Sequence, residues 1–127
     1  MISTELMKAV VIREYGGPEV LKIERVPVPK PGPEEVLIKV EATALNHLDI
    51  FCREGLKGPG IPEIHLPHVS GVDIAGFVVE YGPLASDEKV LPTGSRVLVN
   101  SAVGCGRCRW CRRGEVSMCP EYKIIGE

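Results

Sequence analysis

Four cysteines lie close together near the end of this 127-residue chain, with two, two and seven residues between successive members. They are Cys105, Cys108, Cys111 and Cys119. Thiolates two residues apart in a tight turn can converge on one ion, and Zn²⁺ takes four such ligands tetrahedrally. The spacing therefore predicts one bound zinc ion. Because four protein ligands leave no open position, we expect a structural ion rather than a catalytic one.

Other interpretations of the cluster stay open at this point. A bacterial ferredoxin run shares the first two spacings and the proline that follows the last cysteine, here Pro120. That run needs three residues before its last cysteine, where this chain has seven. A disulfide pair and unligated thiols are the remaining alternatives.

The segment 101–120 around the cysteines has little to bury. It has almost no apolar residues beyond Trp110, Val116 and Met118, too few to fold by burial alone, so a metal would have to organise it. We call this segment the zinc lobe. Four arginines lie between and beside its cysteines, and we expect them to offset the negative charge of a zinc–thiolate centre.

Composition limits the kind of protein. The chain is 44% hydrophobic and 25% charged with a net charge of -2, which is typical of one globular domain and does not favour a nucleic-acid partner. Its apolar runs are too short for a membrane span, and Met1 to Lys8 does not resemble a secretory signal. Clustered cysteines fit a reducing compartment. We therefore expect a cytoplasmic protein without a membrane or nucleic-acid partner.

Alternating and β-branched residues predict a mainly β fold. Prolines at every second position from Pro27 to Pro33 exclude a helix there. Helical spacing predicts one short helix over 46–54, ended by Gly55. Without a strand–glycine-turn–helix unit, we expect a partly closed barrel or sandwich rather than a nucleotide-binding fold. The predicted strands span 8–15, 20–26, 35–45, 71–82 and 94–100.

Several segments resemble the medium-chain dehydrogenase/reductase family, which includes zinc alcohol dehydrogenases and quinone oxidoreductases. They are Gly-Gly-Pro-Glu-Val-Leu (16–21), Pro-Gly-Pro-Glu-Glu-Val-Leu-Ile-Lys-Val (31–40), Ala-Leu-Asn-His-Leu-Asp-Ile (44–50), residues 71–82 and the zinc lobe. The resemblance implies that 1–127 is a GroES-like catalytic domain, a partly open β-barrel with a short helix and a zinc-binding lobe. It also implies that a Rossmann domain, absent from this chain, follows.

Two departures from the family pattern narrow the implied activity. Zinc alcohol dehydrogenases carry a cysteine where this chain has Asn46, and Gly-His-Glu where it has Gly71, Val72 and Asp73. Valine is not a zinc ligand and asparagine is a poor one, so a second, open zinc site is expected to be absent. The segment Asn-His-Leu-Asp (46–49) is similar to the active-site segment of the zinc-free quinone oxidoreductases. The resemblance then implies that Asn46 and Asp49 are catalytic and that His47 contacts the cofactor.

We therefore expect part of an NAD(P)-dependent oxidoreductase that reduces quinones or activated alkenes. Its cofactors would be one structural Zn²⁺ per chain and NAD(P)H, the latter bound through the absent domain. Its partner would be a small molecule such as a quinone, enone or alcohol, and the full-length protein would be a homo-oligomer. The chain alone would be inactive. Alternatives are a zinc-dependent alcohol dehydrogenase with altered ligands and a non-catalytic, zinc-stabilised binding module.

Simpler roles remain open for some of these residues. Asn46 and Asp49 are good helix caps, and His47 could lie on the surface without a function. Asp73 stands where the family triplet has its glutamate, and it could be a shortened counterpart of that carboxylate or an ordinary turn residue. Cys52, the fifth cysteine, is expected to be a buried thiol without chemistry.

Overall fold

A computed structural model describes residues 5–58, 63–85 and 91–126. These residues form seven strands and one α-helix, which confirms the predicted mainly β fold. The strands are β1 (Leu6–Ile12), β2 (Leu21–Pro27), β3 (Val36–Ala44), β4 (Asp73–Tyr81), β5 (Arg96–Leu98), β6 (Ala102–Val103) and β7 (Lys123–Ile124), and the helix is α1 (His47–Glu54).

The first two strands form an antiparallel hairpin. Val10 lies opposite Ile23, and the connection between the strands ends in a short 3₁₀ turn at Pro18–Val20. Strand β1 begins earlier than predicted and ends at Ile12 rather than Tyr15. At Ile12 the backbone also exchanges two hydrogen bonds of 2.8 Å with His68, which fastens the hairpin to the rest of the domain.

Strands β3, β4 and β5 form a three-stranded antiparallel sheet. The β3–β4 register shifts twice, once between Leu37 and Ile38 and once between Val40 and Ala42. Gly76 lies opposite Val40, where a Cβ atom would stand 2.1 Å from the Lys39 carbonyl oxygen. This close approach confirms the expectation that a glycine in the 71–82 segment marks a bulge or a tight backbone contact.

The last two strands form a short antiparallel ribbon, with Ala102 opposite Ile124 and Val103 opposite Lys123. The seven strands thus lie in three small sheets, and the residues that the structure describes form no closed barrel. The buried side chains are few and include Val11, Ile12 and Val78.

Helix α1 follows β3 almost directly. It ends at Gly55, whose left-handed conformation (φ 68°, ψ 43°) lets its N–H donate to the Cys52 carbonyl at 3.2 Å. Cys52 itself is buried, as expected. Within the described ranges, no helix is long and apolar enough to cross a membrane.

Candidate active site and metal centre

Asn46 lies at the junction between β3 and α1. Its backbone N–H donates to Asp49 Oδ2 at 2.7 Å, and the Asp49 N–H donates to the Asn46 carbonyl at 3.1 Å. The first of these bonds is the half of a capping box in which the side chain of the third helix residue accepts the backbone N–H of the cap residue, and the second closes the first backbone turn. The helix-cap role considered for both residues is therefore present in the structure.

The side chain of Asn46 makes a second contact, which crosses to the neighbouring sheet. Its Nδ2 donates to Asp73 Oδ2 at 2.8 Å. Asp73 is the first residue of β4 and lies opposite Ala44, two residues before Asn46. Because a carboxylate can only accept, the amide nitrogen must be the atom that faces Asp73. The structure thus brings together Asn46, Asp49 and Asp73.

The two other polar residues of this helix turn differ in environment. Asp49 is 8% exposed, and its Oδ1 is buried without a hydrogen-bond partner in the described part of the chain. His47 is exposed and lies on the helix surface, with its ring centroid 6.3 Å from that of Phe51. The predicted cofactor contact is therefore accessible, whereas the predicted catalytic carboxylate is largely enclosed.

Apolar residues flank Asn46 and Asp73. Val72, at the position of the family's zinc-binding histidine, is buried with 8% of its surface exposed. In contrast, Leu45 and Leu98 are 90% and 81% exposed, next to Asn46 and on the strand beside β4. The residue before Asp73 is therefore buried, whereas the residue before Asn46 is almost fully exposed.

The four cysteines of the zinc lobe converge as their spacing predicts. Their sulfur atoms all lie within 4.8 Å of one another, and none forms a disulfide. A tetrahedral zinc–thiolate centre with bonds of about 2.3 Å requires sulfur atoms about 3.8 Å apart. The cluster could therefore hold one divalent ion with small adjustments. Among the described ranges it is the one cluster of three or more histidine, cysteine or acidic side chains placed to hold a metal.

Backbone N–H groups point at the sulfur atoms. The N–H of Cys108 donates to Cys105 Sγ at 3.4 Å, that of Cys111 to Cys108 Sγ at 3.5 Å, and those of Cys105 and Glu121 to Cys119 Sγ at 3.4 and 3.3 Å. Such donors stabilise negative charge on sulfur and so favour the thiolate that a metal needs.

The environment separates the acidities of two of these thiols. Backbone N–H groups of Arg107 and Cys108 lower the pKa of Cys105 to about 7. Burial raises the pKa of Cys111 to about 12. A cation at the centre would lower both values, because a coordinating thiol is deprotonated outright.

Glycines and arginines complete the lobe. A Cβ atom on Gly104 would stand 2.8 Å from Cys111 Sγ, so a larger residue would intrude on the cluster. Two of the four arginines have specific partners: Arg107 pairs with Glu121 at 3.4 Å, and the Arg109 guanidinium lies 4.4 Å from the centre of the Trp110 ring.

Two features of this region were not predicted from the sequence. The sequence allows two interpretations of Asp73, and the structure makes it the hydrogen-bond partner of Asn46. Arg53 is buried although it carries a charge, and its carbonyl accepts the Gly16 N–H at 3.1 Å. A charged residue near the end of a short helix carries no sequence signal for burial, so the buried position of Arg53 is not predictable from the sequence.

Comparisons with known proteins agree with this architecture. Residues 32–127 match the family model "Alcohol dehydrogenase GroES-like domain". The chain is 36% identical over 121 residues to an alcohol dehydrogenase of Schizosaccharomyces pombe, covering 93% of this chain and 32% of that protein. It is also 36% identical over 123 residues to a quinone oxidoreductase of Lama guanicoe, with coverages of 96% and 34%.

A solved structure shows the same fold. The crystal structure of an NAD-dependent alcohol dehydrogenase superposes with a TM-score of 0.82 at 46% identity, covering 95% of this chain and 34% of that one. The chain spans about a third of the length of the relatives it matches. The GroES-like, mainly β prediction is therefore confirmed. The chain belongs to the alcohol dehydrogenase GroES-like domain family, the N-terminal domain of the zinc-type medium-chain dehydrogenase/reductases.

Proposed function

We propose that residues 1–127 form the catalytic domain of an NAD(P)-dependent oxidoreductase and work with a nucleotide-binding Rossmann domain in a longer protein. The relatives that support this are named as dehydrogenases and quinone oxidoreductases and are about three times as long as the matched region. The cytoplasmic location, the homo-oligomeric state and the absence of a nucleic-acid partner remain predictions.

Within that class, we propose a reductase of quinones or activated alkenes that works without a catalytic zinc ion. The observation that carries this proposal is the environment of the two positions where the family's zinc ligands would stand. Asn46 points its amide nitrogen at the Asp73 carboxylate, and Val72 is packed in the core. An amide nitrogen has no lone pair to offer a metal and valine has no donor at all, so this pair does not fit an open zinc site.

The remaining residues suit a conjugated acceptor. Nicotinamide, which the second domain would bind, would supply the hydride. When hydride reaches a carbon of a quinone or enone, negative charge spreads to a distant oxygen, where a few hydrogen-bond donors suffice. In our proposal Asn46 provides one such donor through its amide, and His47 provides another contact through its exposed ring. Asp49 holds the Asn46 backbone in place.

We further propose that Cys105, Cys108, Cys111 and Cys119 hold one structural zinc ion. The convergence of four sulfur atoms within 4.8 Å supports this assignment, as do the backbone N–H groups directed at them. Such an ion supplies folding free energy to a segment with a very small apolar core and takes no part in the reaction.

The test is a comparison of Asn46→Ala and Asn100→Ala in the full-length protein, assayed with NADPH and a quinone. Asn46 and Asn100 are the two asparagines of the sequence, and in the described part of the chain the Asn100 side chain accepts the backbone N–H of Ala102, which makes it a matched control. We expect a 10²–10³-fold loss of kcat for Asn46→Ala, as for removal of an oxyanion donor, and wild-type turnover for Asn100→Ala. Equal activity of the two variants would contradict the assignment.

The relatives named alcohol dehydrogenase favour a second candidate, a zinc-dependent alcohol dehydrogenase with altered ligands. Metal analysis of the purified full-length protein separates the two. About one zinc per chain supports the quinone or alkene reductase, whereas about two, together with oxidation of alcohols, supports the alternative. A full-length protein without any turnover would favour the binding module.

A further inference from the structure

The contact between Asn46 and Asp73 carries an inference beyond the proposed reaction class, and it rests on that proposal. We propose that Asp73 is a positioning residue: it fixes the Asn46 amide so that the second N–H of Nδ2 is presented to the substrate oxygen. The two hydrogens of a planar amide nitrogen point about 120° apart. When one is held by Asp73, the direction of the other is set.

The structure holds Asp73 firmly enough for this role. It begins β4, lies in register with Ala44, and follows the buried Val72. The next residue, Ile74, accepts the Val99 N–H at 2.9 Å, which secures this end of β4 on its other side as well. The carboxylate is therefore carried by a strand rather than by a loose turn, and its 2.8 Å hydrogen bond to Asn46 is charge-assisted.

The helix itself does not need this contact. The backbone of Asn46 is already bound by Asp49 at 2.7 Å, and Asp73 is exposed. An exposed hydrogen bond adds little to stability, because water competes for both partners. The hydrogen bond to Asp73 instead restricts rotation about χ2 of Asn46, a torsion that otherwise samples a broad range of angles. The effect of Asp73 should therefore appear in turnover rather than in folding.

The chain offers an unusually clear spectroscopic readout. It has no glutamine and two asparagines, so its side-chain amide region holds two NH₂ pairs, from Asn46 and Asn100. In the ¹⁵N-labelled, zinc-loaded chain, Asn100→Ala identifies the Asn46 pair by elimination. We expect Asp73→Ala to shift one proton of the Asn46 pair upfield and to leave the Asn100 pair in place. Glu80→Ala, which removes an exposed carboxylate from the same strand, is the matched control.

Kinetics of the full-length protein complete the test. We expect Asp73→Ala to lower kcat about 10- to 100-fold with little change in the KM for NADPH, and Asp73→Asn, which keeps an acceptor oxygen, to recover most of the rate. Unchanged Asn46 resonances in Asp73→Ala would overturn the proposal. So would shifted resonances with normal kcat. If Asn46→Ala itself keeps full activity, the proposed function of Asn46 fails and the role of Asp73 falls with it.

Discussion

Cys119 is the most enclosed of the four clustered cysteines, with 5% of its surface exposed, and its sulfur accepts two backbone N–H groups. Its neighbours Cys105, Cys108 and Cys111 are half-buried. This cluster was predictable because its spacing is local and the ligand type is specific. The pairing of Asn46 with Asp73 was not, because the two residues are 27 positions apart and only the β3–β4 register brings them together.

Replacement of Cys119 tests the metal assignment at the scale of a single residue. In Cys119→Ser the cluster keeps three thiols, so we expect zinc affinity to fall by more than the roughly 10- to 100-fold typical of residues that only support a ligand. Zinc competition with a chromophoric chelator measures the change. Cys52→Ala, which alters a buried cysteine outside the cluster, should bind zinc as tightly as the wild type. Equal affinities in the two variants would remove Cys119 from the ligand set.

Among the secondary-structure elements, the start and the end of α1 were predicted correctly because both have local signals. Asn46 and Asp49 stand at the spacing of a capping box, and Gly55 stands where a left-handed residue ends the helix. The faces of β3 were less predictable. Its alternation places Val36, Ile38, Val40 and Ala42 on one face, but the two register shifts interrupt that pattern. Such shifts depend on the partner strand, where Gly76 admits the bulge.

Gly55 should be the most sensitive position of this helix. A Cβ atom there would meet three atoms of the Tyr15 ring at 2.5–2.8 Å, and its φ of 68° disfavours other residues. Gly94 has a similar φ of 89°, and among the described residues no atom lies within 4 Å of an added Cβ, so Gly94→Ala reports the cost of the backbone conformation alone. We expect the free energy of unfolding to fall by about 1–2 kcal/mol in Gly94→Ala and by about 2–4 kcal/mol in Gly55→Ala. Urea denaturation measures the free energy of unfolding of both variants. Equal losses would show that the Tyr15 ring moves aside without cost.

At the scale of the whole molecule, the zinc lobe and the β1–β5 body differ in what holds them together. The body has two hydrogen-bonded sheets and buried side chains such as Ile12 and Val78. The lobe has short 3₁₀ turns and the cysteine cluster, with Met118 largely exposed. The sequence predicted this division, because few apolar residues lie in 101–120.

Removal of zinc should therefore affect the zinc lobe and leave the β1–β5 body folded. After treatment with a strong chelator under reducing conditions, we expect backbone amides of 104–122 to exchange with deuterium much faster, while those of β3 and β4 keep their protection. Hydrogen exchange followed by mass spectrometry resolves the two regions, and re-addition of zinc should restore the slow exchange. A lobe that stays protected without metal would contradict the structural role of the ion.

The β6–β7 ribbon has a further consequence. Because Ala102 lies opposite Ile124 and Val103 opposite Lys123, the polypeptide leaves the body and returns to it at nearly the same place. A chain segment whose two ends lie side by side can be lengthened, shortened or exchanged during evolution with little strain on the strands that flank it. The cysteine-bearing segment is thus attached to the body through one short ribbon, and a tight hairpin that joined the two ribbon strands could replace it.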